Sequence, residues 1–114
     1  MSIKRGEIYW VYIEYPKGSE QSGRRPALIL QNDIGNELAP TTIVAFITSK
    51  SYDKEYPTNV NLAKGVGGLS ADSTVLLSQI STLDKSRLKK KIGQLAKPEM
   101  QKVDQAIKIS LALT

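Results

Sequence analysis

Hydrophobic residues in the first three-quarters of the chain fall in short runs separated by glycine, proline and polar clusters, a pattern of strands rather than helices. Glu7 to Glu14 reads EIYWVYIE; its β-branched and aromatic residues predict a strand with Ile8, Trp10 and Tyr12 on one face. Tyr15 to Gly23, broken by Pro16, Gly18 and Gly23, predicts a loop. Arg25 to Leu30 then reads as an apolar strand with Pro26 near its start, because proline donates no ladder hydrogen bond. Thr41 to Thr48 is almost wholly apolar and predicts a central strand buried on both faces. Thr58 to Leu62 alternates and predicts a half-exposed strand. The cluster Gly65-Val66-Gly67-Gly68 predicts a turn, Ser73 to Leu77 a fifth strand, and Lys91 to Leu95 a short sixth one. Short strands joined by turns in this way suggest a small barrel.

The period changes at the end of the chain. After Pro98, which suits the first turn of a helix, the apolar residues Met100, Val103, Ala106, Ile107, Leu111 and Leu113 are mostly three or four apart. They predict one helix with a core-facing stripe, its polar faces carrying Lys102, Asp104, Gln105 and Lys108. No repeat, linker or low-complexity tract divides residues 1–114, so one domain is expected.

Composition narrows the chemistry. The chain has no cysteine and no histidine, which removes thiolate nucleophiles, the usual neutral-pH acid–base group and the commonest zinc ligand. Neither a cofactor nor a metal is expected. Sixteen Lys and Arg against eleven Asp and Glu leave a net charge of +5. Such a balance suits a polyanionic partner, and equally a solvated basic surface. No apolar run approaches the roughly 18 residues of a membrane span, and the N-terminus lacks a signal-like apolar stretch, so a cytoplasmic location is expected.

Three segments can carry chemistry. Lys17 to Pro26 (KGSEQSGRRP) combines glycines, which let backbone N–H groups approach a ligand, with arginines that grip phosphate through paired donors. It reads equally as a solvated hairpin loop. Thr48 and Ser49 put hydroxyls at the end of a buried strand, where they can bond a substrate oxygen or simply begin a turn. Asp84 to Lys91 (DKSRLKKK) holds a run of cations that can bind a nucleic-acid backbone or an acidic partner, or form a hydrated face.

In order and spacing these segments resemble the MazF/PemK/Kid family of toxin endoribonucleases, nearest the MazF members of Gram-positive bacteria. The resemblance rests on Lys4 to Trp10 (KRGEIYW), Lys17 to Gln21 (KGSEQ) running through Gly23 to Arg25–Leu30 (RPALIL), and Gln31 to Asn36 (QNDIGN). It continues through Ile43–Thr48, Leu76–Ile80 with Thr82–Lys85, and Ile109–Leu113. It covers essentially the whole chain.

The resemblance implies an SH3-like β-barrel of the CcdB/MazF type with a C-terminal helix, mainly β with α, assembled as a homodimer. It implies a metal-independent endoribonuclease that cuts single-stranded RNA, chiefly mRNA, at short motifs, leaving 2′,3′-cyclic phosphate and 5′-hydroxyl ends. The implied partner is a MazE-type antitoxin. Arg25 matches the family's catalytic arginine before the proline of the second strand, and Thr48 its catalytic threonine. Glu20, the only carboxylate in the loop, is the default general base, although phosphates repel it. Gly18, Ser19, Gln21, Arg24, Ser49 and Gln79 are the residues expected to bind RNA. Tyr56, like Tyr52, can stack on a base or pack over the barrel end. Family mechanisms that use histidine cannot be transferred to a chain without one. Two rival readings are a non-catalytic relative of the same fold that poisons DNA gyrase, and a small barrel that only binds RNA or protein.

Overall fold

The computed structural model describes residues 2–13, 23–49 and 56–113. The strands are β1 (Glu7–Ile13), β2 (Gly23–Ile29), β3 (Thr41–Thr48), β4 (Asn59–Leu62), β5 (Ser73–Asp84) and β6 (Leu88–Gln94); the helices are α1 (Asp33–Leu38) and α2 (Lys97–Leu111). The strands form one antiparallel sheet in the order β4-β5-β3-β2-β1-β6, and Thr41–Thr48 is central as its apolar run predicts.

Alternation along the strands builds a core on each face of the sheet. Ile8, Leu28, Ala45 and Ile47 point to one side, where they pack with Val75, Leu77 and the α2 residues Val103 and Ala106. Their neighbours Tyr9, Val11, Ala27, Ile29 and Val44 point to the other, with Ile3 and Leu88. Most of these side chains are almost completely buried, each contributing about 1.5–3 kcal/mol if aliphatic.

The expected barrel differs in one respect: the sheet is not closed, and the end strands β4 and β6 do not pair. The gap is bridged by the glycine turn instead. Gly65–Gly68 packs against β6 so tightly that a Cβ on Gly93 would lie 2.2 Å from the Gly67 carbonyl oxygen. Gly67 and Gly68 adopt positive φ, which glycine reaches without a side-chain penalty.

Several expectations about extent are corrected. β2 begins at Gly23 and β6 at Leu88, ahead of the apolar runs expected from Arg25 and Lys91, because both pair with β1 there. β5 runs on to Asp84, beyond the apolar Ser73–Leu77, because its polar second half pairs with β3 after an irregularity in register between Ala45 and Ile47. The apolar stripe of α2 ends early: Leu111 and Leu113 are exposed, lying past the part of the helix that rests on the sheet.

Helix α1 has no counterpart among the predicted elements. The Asn32 carboxamide oxygen accepts from the Gly35 N–H at 2.8 Å, capping its start. Buried Asn36 anchors it: its Oδ1 accepts from the Thr42 hydroxyl at 2.7 Å, and its Nδ2 donates to the Gln31 carbonyl at 2.9 Å.

Candidate active site

β2 begins and β3 ends at the same edge of the sheet, and there the surface opens into a cleft of about 470 Å³. Trp10 of β1, Arg24, Arg25 and Pro26 of β2, and Ile47, Thr48 and Ser49 from the end of β3 form one part of its wall. The turn residues Gly68 to Ala71, with Ser73, and Lys90 to Ile92 of β6 complete it. The glycine seam therefore fixes two walls against each other.

Neighbours on a strand point to opposite faces, which separates the two arginines. Arg25 lies with its guanidinium over the Phe46 ring, 4.9 Å from the centroid; Arg24 lies over Trp10 at 5.0 Å. A guanidinium laid on a ring is oriented by it while its N–H donors, which lie in the guanidinium plane, stay available at the edge. The β2–β3 ladder ends at Ala27↔Phe46, and the same register carried two residues outward sets Arg25 opposite Thr48. On its other side Thr48 pairs with Thr74 of β5.

The lining is cationic. Arg24, Arg25, Lys90 and Lys91 contribute, along with the hydroxyls of Thr48, Ser49, Ser70 and Ser73, and no described carboxylate lines the cleft. Lys91 is neutralised from outside it: its ammonium lies 2.6 Å from Glu7 Oε2. Burial raises the Glu7 pKa, but hydrogen bonds from Lys91, the Lys4 N–H and the Tyr9 hydroxyl outweigh it and hold the carboxyl below 4.5. The same contacts act in reverse on Tyr9, whose pKa is pushed up to about 12 by burial and by the adjacent Glu7 carboxylate. A carboxylate placed behind the wall thus anchors one cation and leaves Arg24, Arg25 and Lys90 facing the cleft without acidic partners among the described residues.

Of the residues singled out in the sequence, Arg24, Arg25, Thr48 and Ser49 come together here, joined by Lys90 and Lys91 from the basic run Asp84–Lys91. Gln79 is exposed on β5 and Tyr56 is exposed just before β4; neither is among the lining residues. Gly18, Ser19, Glu20, Gln21 and Tyr52 lie outside the described residues.

The model of the PemK-like, MazF-like toxins of type II toxin–antitoxin systems matches residues 4–111. The chain belongs to that family. It is 48% identical to the endoribonuclease EndoA of Bacillus subtilis (strain 168) over 113 residues, covering 99% of this chain and 97% of that protein. Among solved structures it is similar to MazF from Deinococcus radiodurans, with a TM-score of 0.79 at 26% identity over 98% of each chain. The MazE–MazF complex from the same organism matches with a TM-score of 0.79 at 25% identity, covering 100% of this chain and 99% of that one. The open six-stranded sheet with its C-terminal helix is thus the MazF fold.

The cleft contains one residue to which sequence reasoning assigned no role, Trp10, and it selects two members of the basic run. Trp10 reads as one more apolar residue of a strand, and only the pairing of β1 with β2 brings it under Arg24. Lys90 and Lys91 belong to a basic run that folding divides among four environments. The Lys85 ammonium donates to the Asn36 carbonyl, Lys89 reaches the Ser86 carbonyl at 3.4 Å, Lys91 meets Glu7, and Lys90 remains in the cleft.

Proposed function

We propose that this MazF-family chain is an endoribonuclease toxin that cuts single-stranded RNA, mRNA above all, without a metal, leaving 2′,3′-cyclic phosphate and 5′-hydroxyl ends. The observation that carries the reading is the convergence of Arg25 and Thr48 on a cationic cleft that no described carboxylate lines. In such a reaction the ribose 2′-hydroxyl attacks its own neighbouring phosphorus, so the protein supplies orientation and charge stabilisation rather than a nucleophile.

Arg25 holds the non-bridging phosphate oxygens as negative charge builds in the pentacoordinate transition state. Its cation is permanent near pH 7, which suits electrostatic work and not proton abstraction. Thr48, across from it in register, donates its hydroxyl to a phosphate oxygen or orients the 2′-hydroxyl. Glu20 is the carboxylate proposed to take the 2′ proton, and the departing 5′-oxygen takes a proton from solvent as the P–O5′ bond breaks. Ser19, Gln21 and Gln79 read bases on the splayed strand, and Ser49 adds a donor at the cleft edge.

The proposed assembly is a homodimer whose partner is a MazE-type antitoxin; MazF of Deinococcus radiodurans has a solved complex of MazE with MazF, which supports this reading. An acidic antitoxin segment lying over the cleft cations Arg24, Arg25 and Lys90 would exclude RNA by charge competition.

The test is incubation of purified protein with a long single-stranded RNA in excess EDTA, followed by end-group analysis. Discrete fragments with 5′-hydroxyl and cyclic-phosphate ends are expected. RNA left intact at high protein concentration, across several sequences, would overturn the proposal in favour of a binding module or a gyrase poison.

A further inference from the structure

We propose that the cleft holds a second phosphate subsite, built from Arg24 stacked on Trp10 and from Lys90, which takes a phosphate flanking the scissile one. This rests on the ribonuclease reading of the cleft.

The geometry comes from two registers. In β1–β2, Tyr12↔Arg24 and Trp10↔Pro26 put Arg24 and Trp10 on one face, diagonal to each other and in contact. Arg25 pairs with Val11 on the opposite face. In β1–β6, Tyr9↔Lys91 is followed by Val11↔Leu88, so β6 spends two residues, Lys89 and Lys90, against the single Trp10. That bulge sets Lys90 on the Trp10 face, and of the two lysines it is Lys90 that lines the cleft, whereas Lys89 is drawn to the Ser86 carbonyl. Three groups from three strands thus line one side of the cleft: a guanidinium oriented by an indole, the indole itself, and an exposed ammonium.

The chemistry identifies the ligand. Arg24 and Lys90 have no described carboxylate partner, and both are exposed. Two cations without a carboxylate partner among the described residues, beside an aromatic ring, suit one phosphodiester with its adjoining sugar and base, the ring offering a stacking surface. Because Arg24 and Arg25 are adjacent in sequence but opposed in direction, one strand can grip two phosphates of a chain that bends between them.

The experiment uses an RNA made uncleavable by a 2′-deoxy substitution at the scissile nucleotide, titrated over a salt series with the wild type, Lys90→Gln and Lys102→Gln. Lys102 is exposed on α2, away from the cleft. Loss of one phosphate contact is expected to weaken binding by Lys90→Gln about tenfold and to flatten the log–log salt slope by about 0.7, with Lys102→Gln unchanged. A methylphosphonate at one flanking phosphate should weaken the wild type by a similar factor and weaken Lys90→Gln no further. The subsite is overturned if Lys90→Gln keeps the wild-type slope, if Lys102→Gln loses as much, or if every methylphosphonate affects wild type and Lys90→Gln alike. Failure of the wild type to cut the unmodified RNA overturns the ribonuclease reading beneath it, a separate result.

Discussion

The Arg25 guanidinium rests over the Phe46 ring at 4.9 Å, and Phe46 pairs across strands with Ala27, two residues from Arg25. The ring therefore supports the arginine diagonally from the neighbouring strand. Replacing Phe46 with Leu keeps an apolar residue but removes the quadrupole, which is worth about 0.5–1 kcal/mol at a partly exposed site. A two- to fivefold fall in kcat/KM on RNA is expected. Arg25→Lys, which loses both the planar fork and the stack, should cost about 10²–10³-fold, the range of a lost transition-state donor. Equal losses in the two variants would mean that Phe46 does more than orient Arg25.

Stability should respond to pH at both ends through the Glu7–Tyr9 pair. Glu7 is held below 4.5, so its contribution is present above that pH and is lost as pH falls through the lowered folded value. Tyr9 is neutral in the fold until about 12, so its contribution is present below 10 and is lost as pH rises from 10 to 12, while the unfolded chain ionises first. The loss by pH 11 is on the order of 1 kcal/mol. Denaturant unfolding of Tyr9→Phe between pH 9 and 11 checks this: the variant should lack that part of the decline. An unchanged slope would place the alkaline loss elsewhere.

Gly93 is where the open sheet is sealed. An added Cβ would meet the Gly67 carbonyl at 2.2 Å, backbone against which no rotamer can yield. Gly93→Ala should cost about 1–3 kcal/mol, as overpacking does. Because the displaced turn carries Gly68 to Ala71 of the cleft wall, KM for RNA should rise as well. Thermal melts and kinetics on the same preparation read both effects.

Ala112 ends α2 with φ 56, a left-handed conformation that disfavours a Cβ. Ala112→Gly should stabilise by about 0.5–1 kcal/mol and leave RNA cutting alone, since the helix end is not part of the cleft. A denaturant midpoint that does not rise would show that the helix end frays too readily for its last residue to matter.

How much was legible in the sequence can be followed residue by residue. Short apolar runs marked some part of every strand, continuous in β2 and β3 and alternating in β4, although the basic start of β6 at Leu88 gave no such signal. β5 looked shorter than it is: Ser78 to Thr82 are mostly polar, and only pairing with β3 shows the strand continuing. α1 was missed because six residues span too few turns for a period to appear, and its cap, Asn32, is one polar residue among several. Arg25 and Thr48 were singled out by resemblance, and the fold then brings both to the lining of one cleft. Trp10 and Lys90 could not be found that way. Their proximity depends on a bulge, and a bulge has no composition of its own.

The central claim, that the substrate supplies its own nucleophile to a site built around Arg25, is tested most directly with paired oligonucleotides. One is all RNA; the other carries a single 2′-deoxy sugar at the cleaved position, and both are presented to wild type and Arg25→Ala in excess EDTA. The wild type should cut only the first, leaving a cyclic phosphate, while binding both, and Arg25→Ala should cut neither at a comparable rate. Cleavage of the deoxy-substituted strand at that position would contradict the account, because the attacking oxygen would then have to come from water or the protein.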